Sequence, residues 1–191
     1  MTSLRITEDS QLRIWQIGRI KEALAGTDTE LKLGILQELS EHCPGWNTSV
    51  TDIFLSGLQD QQATVRIATV ELLRLYPDRL SQQQLLQVLQ LITDSDRQVR
   101  EIVIDEIRGF GRYVEDVTLR EITPLLGHSN EDVRESVVLV LDKLSHLFTA
   151  AMFLDLVDEY RQGTDGVRDS IADFLQRNGQ ESLIDNLEEE L

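Results

Sequence analysis

The sequence predicts an all-α protein, an α-solenoid of stacked antiparallel helical hairpins, on the strength of three observations. A pair of residues, one apolar and one basic, returns every 34 residues along the 191-residue chain. The apolar positions around each pair follow the period of an α-helix. The composition, with 3 Pro, 11 Gly and 5% aromatic residues, disfavours an all-β protein. A hairpin with two half-apolar faces buries them only when a neighbour stacks on it, which favours a solenoid.

The repeated pair is Val-Arg in four of its five copies. It occurs at residues 65–66, 99–100, 133–134 and 167–168, and one further step back leads to Leu31-Lys32. The five basic members are Lys32, Arg66, Arg100, Arg134 and Arg168. A fixed spacing without insertions indicates an internal structural repeat, because each copy then repeats one supersecondary unit.

Each pair is predicted to lie in the first turn of the second helix of a hairpin. Apolar or small residues follow the apolar member after four and eight residues, which places all three on one helix face. They are Ile35, Thr69, Val103, Val137 and Ile171, then Leu39, Leu73, Ile107, Leu141 and Leu175. Three residues before it stand Asp28, Gln62, Asp96, Asn130 and Thr164. Four of these are good N-cap types, so each helix is expected to start there.

A second apolar stripe predicts the first helix of each hairpin. Its residues recur at i, i+3 and i+7: Ile17, Ile20 and Leu24; Thr51, Phe54 and Leu58; Leu85, Val88 and Ile92; Leu119, Ile122 and Leu126; Phe153, Leu156 and Tyr160. Turns are expected at Cys43-Pro44-Gly45, Tyr76-Pro77-Asp78, Gly109-Phe110-Gly111 and Asn178-Gly179. The predicted units within this single domain are 10–43, 44–77, 78–111, 112–145 and 146–179, followed by a capping helix at 180–191.

The segment 125–134, Leu-Leu-Gly-His-Ser-Asn-Glu-Asp-Val-Arg, resembles HEAT repeats. In that family an Asp or Asn in the inter-helix turn precedes Val-Arg, and the first helix often contains a kinking proline, here Pro124. The Trp, Leu-Gly and Tyr positions of tetratricopeptide repeats do not recur. The resemblance covers residues 10 to 191. It implies a right-handed solenoid whose second helices line a concave binding surface, and it says almost nothing about function.

The resemblance also implies a role for the basic column. In HEAT arrays this residue pairs with acidic groups of adjacent turns, in a ladder that keeps the repeats in register. We expect Lys32, Arg66, Arg100, Arg134 and Arg168 to form such a ladder. Binding of an anionic ligand by the column is the alternative.

The outward-facing positions of the second helices are predicted to form the concave face. They lie two, six and nine residues after the apolar member of each pair. Of these 15 positions seven are acidic and two are basic. The candidate partner-binding residues are Leu33, Ile67, Glu71, Glu101, Asp105, Glu135, Leu139, Asp142, Asp169 and Asp173. They describe a face that is mildly apolar at its N-terminal end and acidic at its C-terminal end.

The charge of the chain limits its partners. With 18 basic and 34 acidic residues the formal net charge is -16, which disfavours binding to nucleic acids and anionic membranes. Residues 133–191 carry 5 basic and 13 acidic residues, a net of -8. This concentration of charge is either a polar end cap of the solenoid or a patch that steers a basic partner.

Little in the sequence indicates enzyme chemistry. The three histidines, His42, His128 and His146, form no His-Glu-x-x-His pair, so no metal site or cofactor is expected. Cys43 is the only cysteine, which excludes an internal disulfide. No apolar stretch is long enough for a membrane span, and the first ten residues do not have the pattern of a secretory signal. We therefore expect an intracellular, cytoplasmic protein.

Two function hypotheses remain, from different classes. The first is a non-enzymatic scaffold or adaptor whose acidic concave face holds a basic or amphipathic segment of a partner protein. The second is a bilin-binding or chromophore lyase-like protein, since short HEAT-like proteins of the phycobilisome are of similar size and also carry Val-Arg repeats. A DNA-repair enzyme on HEAT-like repeats would need a basic groove, which the acidic positions contradict.

Overall fold

The computed structural model describes residues 14–42, 51 and 54–188, and every regular element within these ranges is helical. The α-helices of this part of the chain are α1 (Ile14–Ala25), α2 (Thr29–His42), α3 (Ala63–Arg74), α4 (Gln82–Leu89), α5 (Arg97–Gly111), α6 (Asp116–Ile122), α7 (Glu131–Lys143), α8 (Ala150–Gln162), α9 (Asp165–Arg177) and α10 (Ser182–Glu188). Short 3₁₀ segments lie at Ser56–Gln59, Pro77–Arg79, Gln90–Thr93, Thr123–Gly127 and Ser145–Leu147.

Five helices, α2, α3, α5, α7 and α9, form a consecutive row, and we call them the second helices. They begin at residues 29, 63, 97, 131 and 165, so that successive starts are 34 residues apart. Each helix of the row contacts the next one in chain order. In sequence α1 precedes the row, α10 follows it, and α4, α6, α8 and the five 3₁₀ segments lie between its members. Ser56–Gln59 packs on α3, Gln90–Thr93 on α5, and Thr123–Gly127 on α7.

The second helices start at the predicted residues, and side-chain caps are present at the starts of α5 and α7. The residues predicted as N-caps of α3, α5, α7 and α9 occupy that position in the structure. The Asp96 carboxylate accepts a hydrogen bond from the Gln98 N–H at 2.8 Å, and the Asn130 side chain accepts one from the Asp132 N–H at 2.9 Å. These bonds satisfy backbone donors that have no partner inside the helix.

The hydrophobic core lies between the second helices and the helices packed on them. The predicted stripe residues Leu85, Val88 and Ile92 are fully buried, as are Leu119, Ile122 and Leu126. The columns of the second helices are equally buried from α3 to α7, since every predicted position there is at most 2% exposed. The buried apolar side chains form one continuous cluster from Ile20 to Ile184.

Three local expectations were wrong. The expected turn at Gly109–Gly111 is the last turn of α5, because the Phe110 side chain is fully buried in the core and holds the segment helical. Pro124 does not lie inside an α-helix; α6 ends at Ile122 and Pro124 belongs to the following 3₁₀ segment. Leu31 is 49% exposed, because the first turn of α2 has no preceding hairpin among the described residues to cover it.

Candidate protein-binding face

The basic column makes its strongest contacts at Lys32 and Arg66. The Lys32 ammonium pairs with the Asp60 carboxylate, and both side chains are less than 10% exposed. Arg66 binds Asp94 through two parallel hydrogen bonds of 2.7 Å, from Nε and from Nη2. Its Nη1 donates to the carbonyl oxygen of Asp60 at 2.7 Å. Each cation is thus tied to the turn that precedes the following second helix, 28 residues further along the chain.

Arg100 and Arg134 use a different acceptor. The residue 28 positions after Arg100 is His128, and no carboxylate is available there. Arg100 Nε instead donates to Ser136 Oγ at 3.3 Å, and Arg134 Nε donates to Ser170 Oγ at 3.2 Å. Both serines lie 36 positions after their arginine. The Asp132 carboxylate adds only a longer contact of 3.6 Å to Arg100.

Aspartate serves as the acceptor for the first two cations and serine for the next two. At the position 28 residues after the cation stand Asp60, Asp94, His128 and Gln162, while Ala68, Ile102, Ser136 and Ser170 stand 36 residues after it. The hydroxyl is present only where the carboxylate is missing. The replacement of aspartate by serine is visible in the sequence when the positions 28 and 36 residues after each cation are aligned. The hydrogen bonds in the structure are needed to show that both residue types serve as acceptors for the basic column.

Arg168, the last member of the column, is the exception. Its side chain is 44% exposed, and its contacts are the Tyr160 carbonyl oxygen at 3.2 Å and Asp165 at 3.9 Å. Neither contact reaches a following unit. Arg168 therefore provides an internal comparison for the buried cations of the same column.

The pKa of Asp60 reflects its place in the column. Burial of the carboxyl group raises its pKa. The hydrogen bonds from Lys32 and from the Gln62 N–H, together with the charges of Lys32 and Arg66, lower the pKa by more than burial raises it. The net result is a pKa below the ordinary value of an aspartate. Asp60 is therefore held ionised by the fold.

The predicted partner-binding residues occupy matching positions of the five second helices, and we call the surface they are predicted to form the second-helix face. Six of the ten are exposed: Glu71, Glu101, Asp105, Glu135, Leu139 and Asp169. The other four, Leu33, Ile67, Asp142 and Asp173, are partly buried. Leu33 packs against the hydrophobic core, whereas Leu139 is 38% exposed.

Three of the seven acidic residues of this face are engaged by cations. Arg97 contacts Glu101 at 2.7 Å, Lys143 contacts Asp105 at 4.0 Å and Arg177 contacts Asp173 at 2.9 Å. Lys143 reaches across from α7 to α5 and also donates to the Ile104 carbonyl oxygen at 2.7 Å. The pairs of Glu101 and Asp173 are i,i+4 pairs within one helix and follow from sequence spacing, whereas the pairing of Asp105 with Lys143 depends on how neighbouring helices are rotated.

The other four carboxylates form no ion pair within the described part of the chain. They are Glu71, Glu135, Asp142 and Asp169. Glu135 and Asp169 occupy the same position of successive second helices, two residues after the apolar member of the pair. In α2 and α3 that position holds Leu33 and Ile67. The column therefore changes from apolar to acidic along the row.

A groove between α2 and α3 opens on the second-helix face at its N-terminal end. Its apolar lining comes from Leu33, Leu36, Ala68, Leu72 and Leu75, and its polar lining from Gln37, Ser40, Glu71 and Arg74. Leu75 is 45% exposed. The Arg74 guanidinium forms an ion pair with Glu106 at 3.1 Å. This groove could not be predicted from the sequence, because its width depends on the packing of two helices.

Groups of metal-ligating side chains are missing from the described residues. His128 has a structural hydrogen bond, since its Nδ1 accepts from the Asn130 N–H at 3.1 Å. Cys43 lies outside the described residues. The part of the chain in the structure also contains no helix with the length and apolar character required to cross a bilayer.

Comparisons with known proteins add no closer assignment. No protein-family model matches the chain, and a search of curated proteins found no match either. The structure defines the chain as an all-α protein whose helices pack against one another.

Proposed function

We propose that the chain is a HEAT-like, right-handed α-solenoid and a non-enzymatic scaffold. The equal spacing of the second-helix starts and their consecutive packing support this architecture. So do the contacts of Lys32, Arg66, Arg100 and Arg134, each of which joins one unit to the next. In this architecture the second-helix face is the concave surface, and the basic column keeps the units in register.

The proposed function is to hold a basic or amphipathic segment of a partner protein on the second-helix face. The observation that carries this proposal is the set of four carboxylates without an ion pair on that face, Glu71, Glu135, Asp142 and Asp169. An isolated surface carboxylate is well solvated and contributes little, but several on one rigid surface create a potential that attracts cations. Lys and Arg side chains of a partner would supply the missing counter-charges.

Rigidity adds to the effect of charge. The second helices are fixed to one another by a continuous core and by buried ion pairs, so the carboxylates keep their mutual positions before a partner arrives. A surface that is already ordered loses less conformational entropy on binding. The face should thus favour segments whose basic residues match its spacing.

The test is to select peptides from a random library displayed on phage. Selection on the unmodified protein should enrich peptides rich in Lys and Arg. The same selection on a Glu135→Lys/Asp169→Lys variant should lose this enrichment, because both unpaired carboxylates of the column are then replaced by cations. Both residues are exposed, so the substitutions should not disturb folding.

A matched control places the same charge change elsewhere. Glu121 on α6 and Glu159 on α8 are exposed and lie outside the second-helix row. The Glu121→Lys/Glu159→Lys variant changes the net charge by the same amount and should still select basic peptides. Equal loss in the two variants would show a general charge effect, and equal retention would show that the second-helix face does not bind these peptides; either result contradicts the proposal.

A further inference from the structure

The second-helix face has two chemically distinct ends, and their order along the row restricts what can bind. The N-terminal end is the groove between α2 and α3, which combines an apolar lining and the exposed Leu75 with the charged side chains of Glu71 and Arg74. The C-terminal end carries the carboxylates of Glu135 and Asp169 on α7 and α9; neither forms an ion pair within the described part of the chain, and Glu135 has a longer-range electrostatic interaction with Arg97. Between them, on α5, Glu101 is paired with Arg97 and Asp105 with Lys143. The middle of the face thus offers a partner less free charge than its C-terminal end.

We propose that this face binds an extended peptide segment that has an apolar anchor residue and, some seven residues away, a cluster of Lys or Arg. The anchor occupies the groove between α2 and α3, and the cluster contacts Glu135 and Asp169. This inference rests on the proposed function and specifies the partner of that same face.

The distance between the two ends follows from helix packing. Adjacent packed helices lie about 8–10 Å apart. The groove lies between the first two second helices, and α7 is the fourth, so the separation is roughly 20–25 Å. An extended chain covers about 3.3 Å per residue, which corresponds to about seven residues.

The separation of apolar and acidic regions favours an extended peptide over an amphipathic helix. A helix with a continuous apolar stripe would place apolar side chains over the carboxylates of Glu135 and Asp169 and remove them from water without a counter-charge. An extended segment with its apolar and basic residues at opposite ends avoids this cost. Leu139, one turn from both Glu135 and Asp142, can pack against the aliphatic part of a bound lysine.

Two synthetic peptides of identical composition test the proposal. In the spaced peptide, Phe-Leu is separated from three lysines by about seven Gly and Ser residues; in the compact peptide, Phe-Leu adjoins the lysines and the Gly-Ser residues follow. Both are made in either chain direction and labelled, and their Kd values are measured by fluorescence anisotropy. Of the two spaced peptides, the one whose chain direction suits the face should bind about tenfold more tightly than either compact peptide, because only this peptide reaches both ends of the face.

Two protein variants assign the two ends. Leu75→Ser should weaken binding of the spaced peptide about fivefold and leave the compact peptide unchanged, which corresponds to losing part of one apolar contact. Leu154→Ser is the control, because Leu154 is also an exposed leucine, at 56%, but lies on α8. The Glu135→Lys/Asp169→Lys variant should bind both the spaced and the compact peptide more weakly.

The outcomes separate this inference from the proposed function. If spaced and compact peptides bind equally, and both lose affinity for the charge-reversed variant, the apolar anchor in the groove is wrong. The proposed binding of a basic segment by the second-helix face would then still stand. A similar loss for Leu75→Ser and Leu154→Ser also overturns the anchor site. If charge reversal changes neither affinity, both proposals are wrong.

Discussion

The Arg66 guanidinium and the Asp94 carboxylate are joined by two hydrogen bonds of 2.7 Å, although the residues are 28 positions apart in sequence. Asp94 also accepts the Asp96 N–H at 2.8 Å, and Asp96 is the N-cap of α5. One carboxylate therefore fixes both the neighbouring unit and the turn from which the next helix starts. The pair of Arg66 and Asp94 should therefore contribute more to stability than the exposed Arg168 at the end of the same column.

Arg66→Ala should lower the free energy of unfolding by about 3 kcal/mol, because it leaves a largely buried carboxylate without its partner. The side chains of the pair are only 12% and 9% exposed. Arg168→Ala is the matched control, and it should cost less than about 0.5 kcal/mol because its ion pair is exposed. Urea unfolding followed by circular dichroism measures both. Equal losses would contradict a special role for the buried pair.

His128→Asp should stabilise the protein by about 1 kcal/mol, because it adds a charge-assisted hydrogen-bond acceptor for Arg100. The backbone already has the required form: Asp60, Asp94 and His128 all follow a 3₁₀ segment, with φ of -64°, -59° and -62° and ψ of 146°, 142° and 143°.

Gln162→Asp is the control for that change. Gln162 stands in the same column but is the last residue of α8, where a negative charge is unfavourable. The melting temperatures of the two variants are compared by thermal unfolding, and only His128→Asp should raise the melting temperature. A destabilised His128→Asp protein would show that the aspartate and serine contacts are not interchangeable.

Gly57→Ala should destabilise the fold by about 1–3 kcal/mol through overpacking. A Cβ at this buried position would overlap the Thr69 hydroxyl, which donates to the Val65 carbonyl oxygen at 2.7 Å. Gly34→Ala should instead stabilise α2 by about 0.5–1 kcal/mol, because nothing lies near its added Cβ and alanine favours the helix.

A double-mutant cycle tests the cause of the Gly57 effect. Thr69→Ala removes the atoms that the new Cβ would meet, so the cost of Gly57→Ala should be smaller in that background. An unchanged cost would show that the glycine is needed for another reason.

The lowered pKa of Asp60 leads to a specific prediction for how the stability of the protein depends on pH. Its pKa in the folded protein lies below its ordinary value. The stabilisation it provides is therefore complete above the ordinary pKa, about 4, and is lost as the pH falls through the lower folded-state pKa. Asp60→Asn should flatten the acid limb of the stability curve in that range, whereas Asp142→Asn, which removes an unpaired carboxylate, should leave its slope unchanged. Parallel curves for Asp60→Asn and the unmodified protein would contradict the assignment.

Much of the local structure could be predicted from the sequence, because it depends on nearest-neighbour chemistry. Asp96 and Asn130 mark helix starts because their side chains accept N–H groups two residues away. The final turn of α5 could not be predicted, because burial of Phe110 overrides the turn preference of its two glycines. The neutralisation of Asp105 by Lys143 depends on how α5 and α7 are rotated against each other.

The salt dependence of peptide binding tests the central claim most directly. For a lysine-rich peptide selected on the protein, Kd should rise about tenfold or more between about 50 mM and 500 mM NaCl, because salt screens exposed charge pairs. The Glu135→Lys/Asp169→Lys variant should bind weakly at low salt and show a much smaller change. A Kd that is independent of salt, or an equally steep dependence in the variant, would contradict binding of a basic segment by these carboxylates.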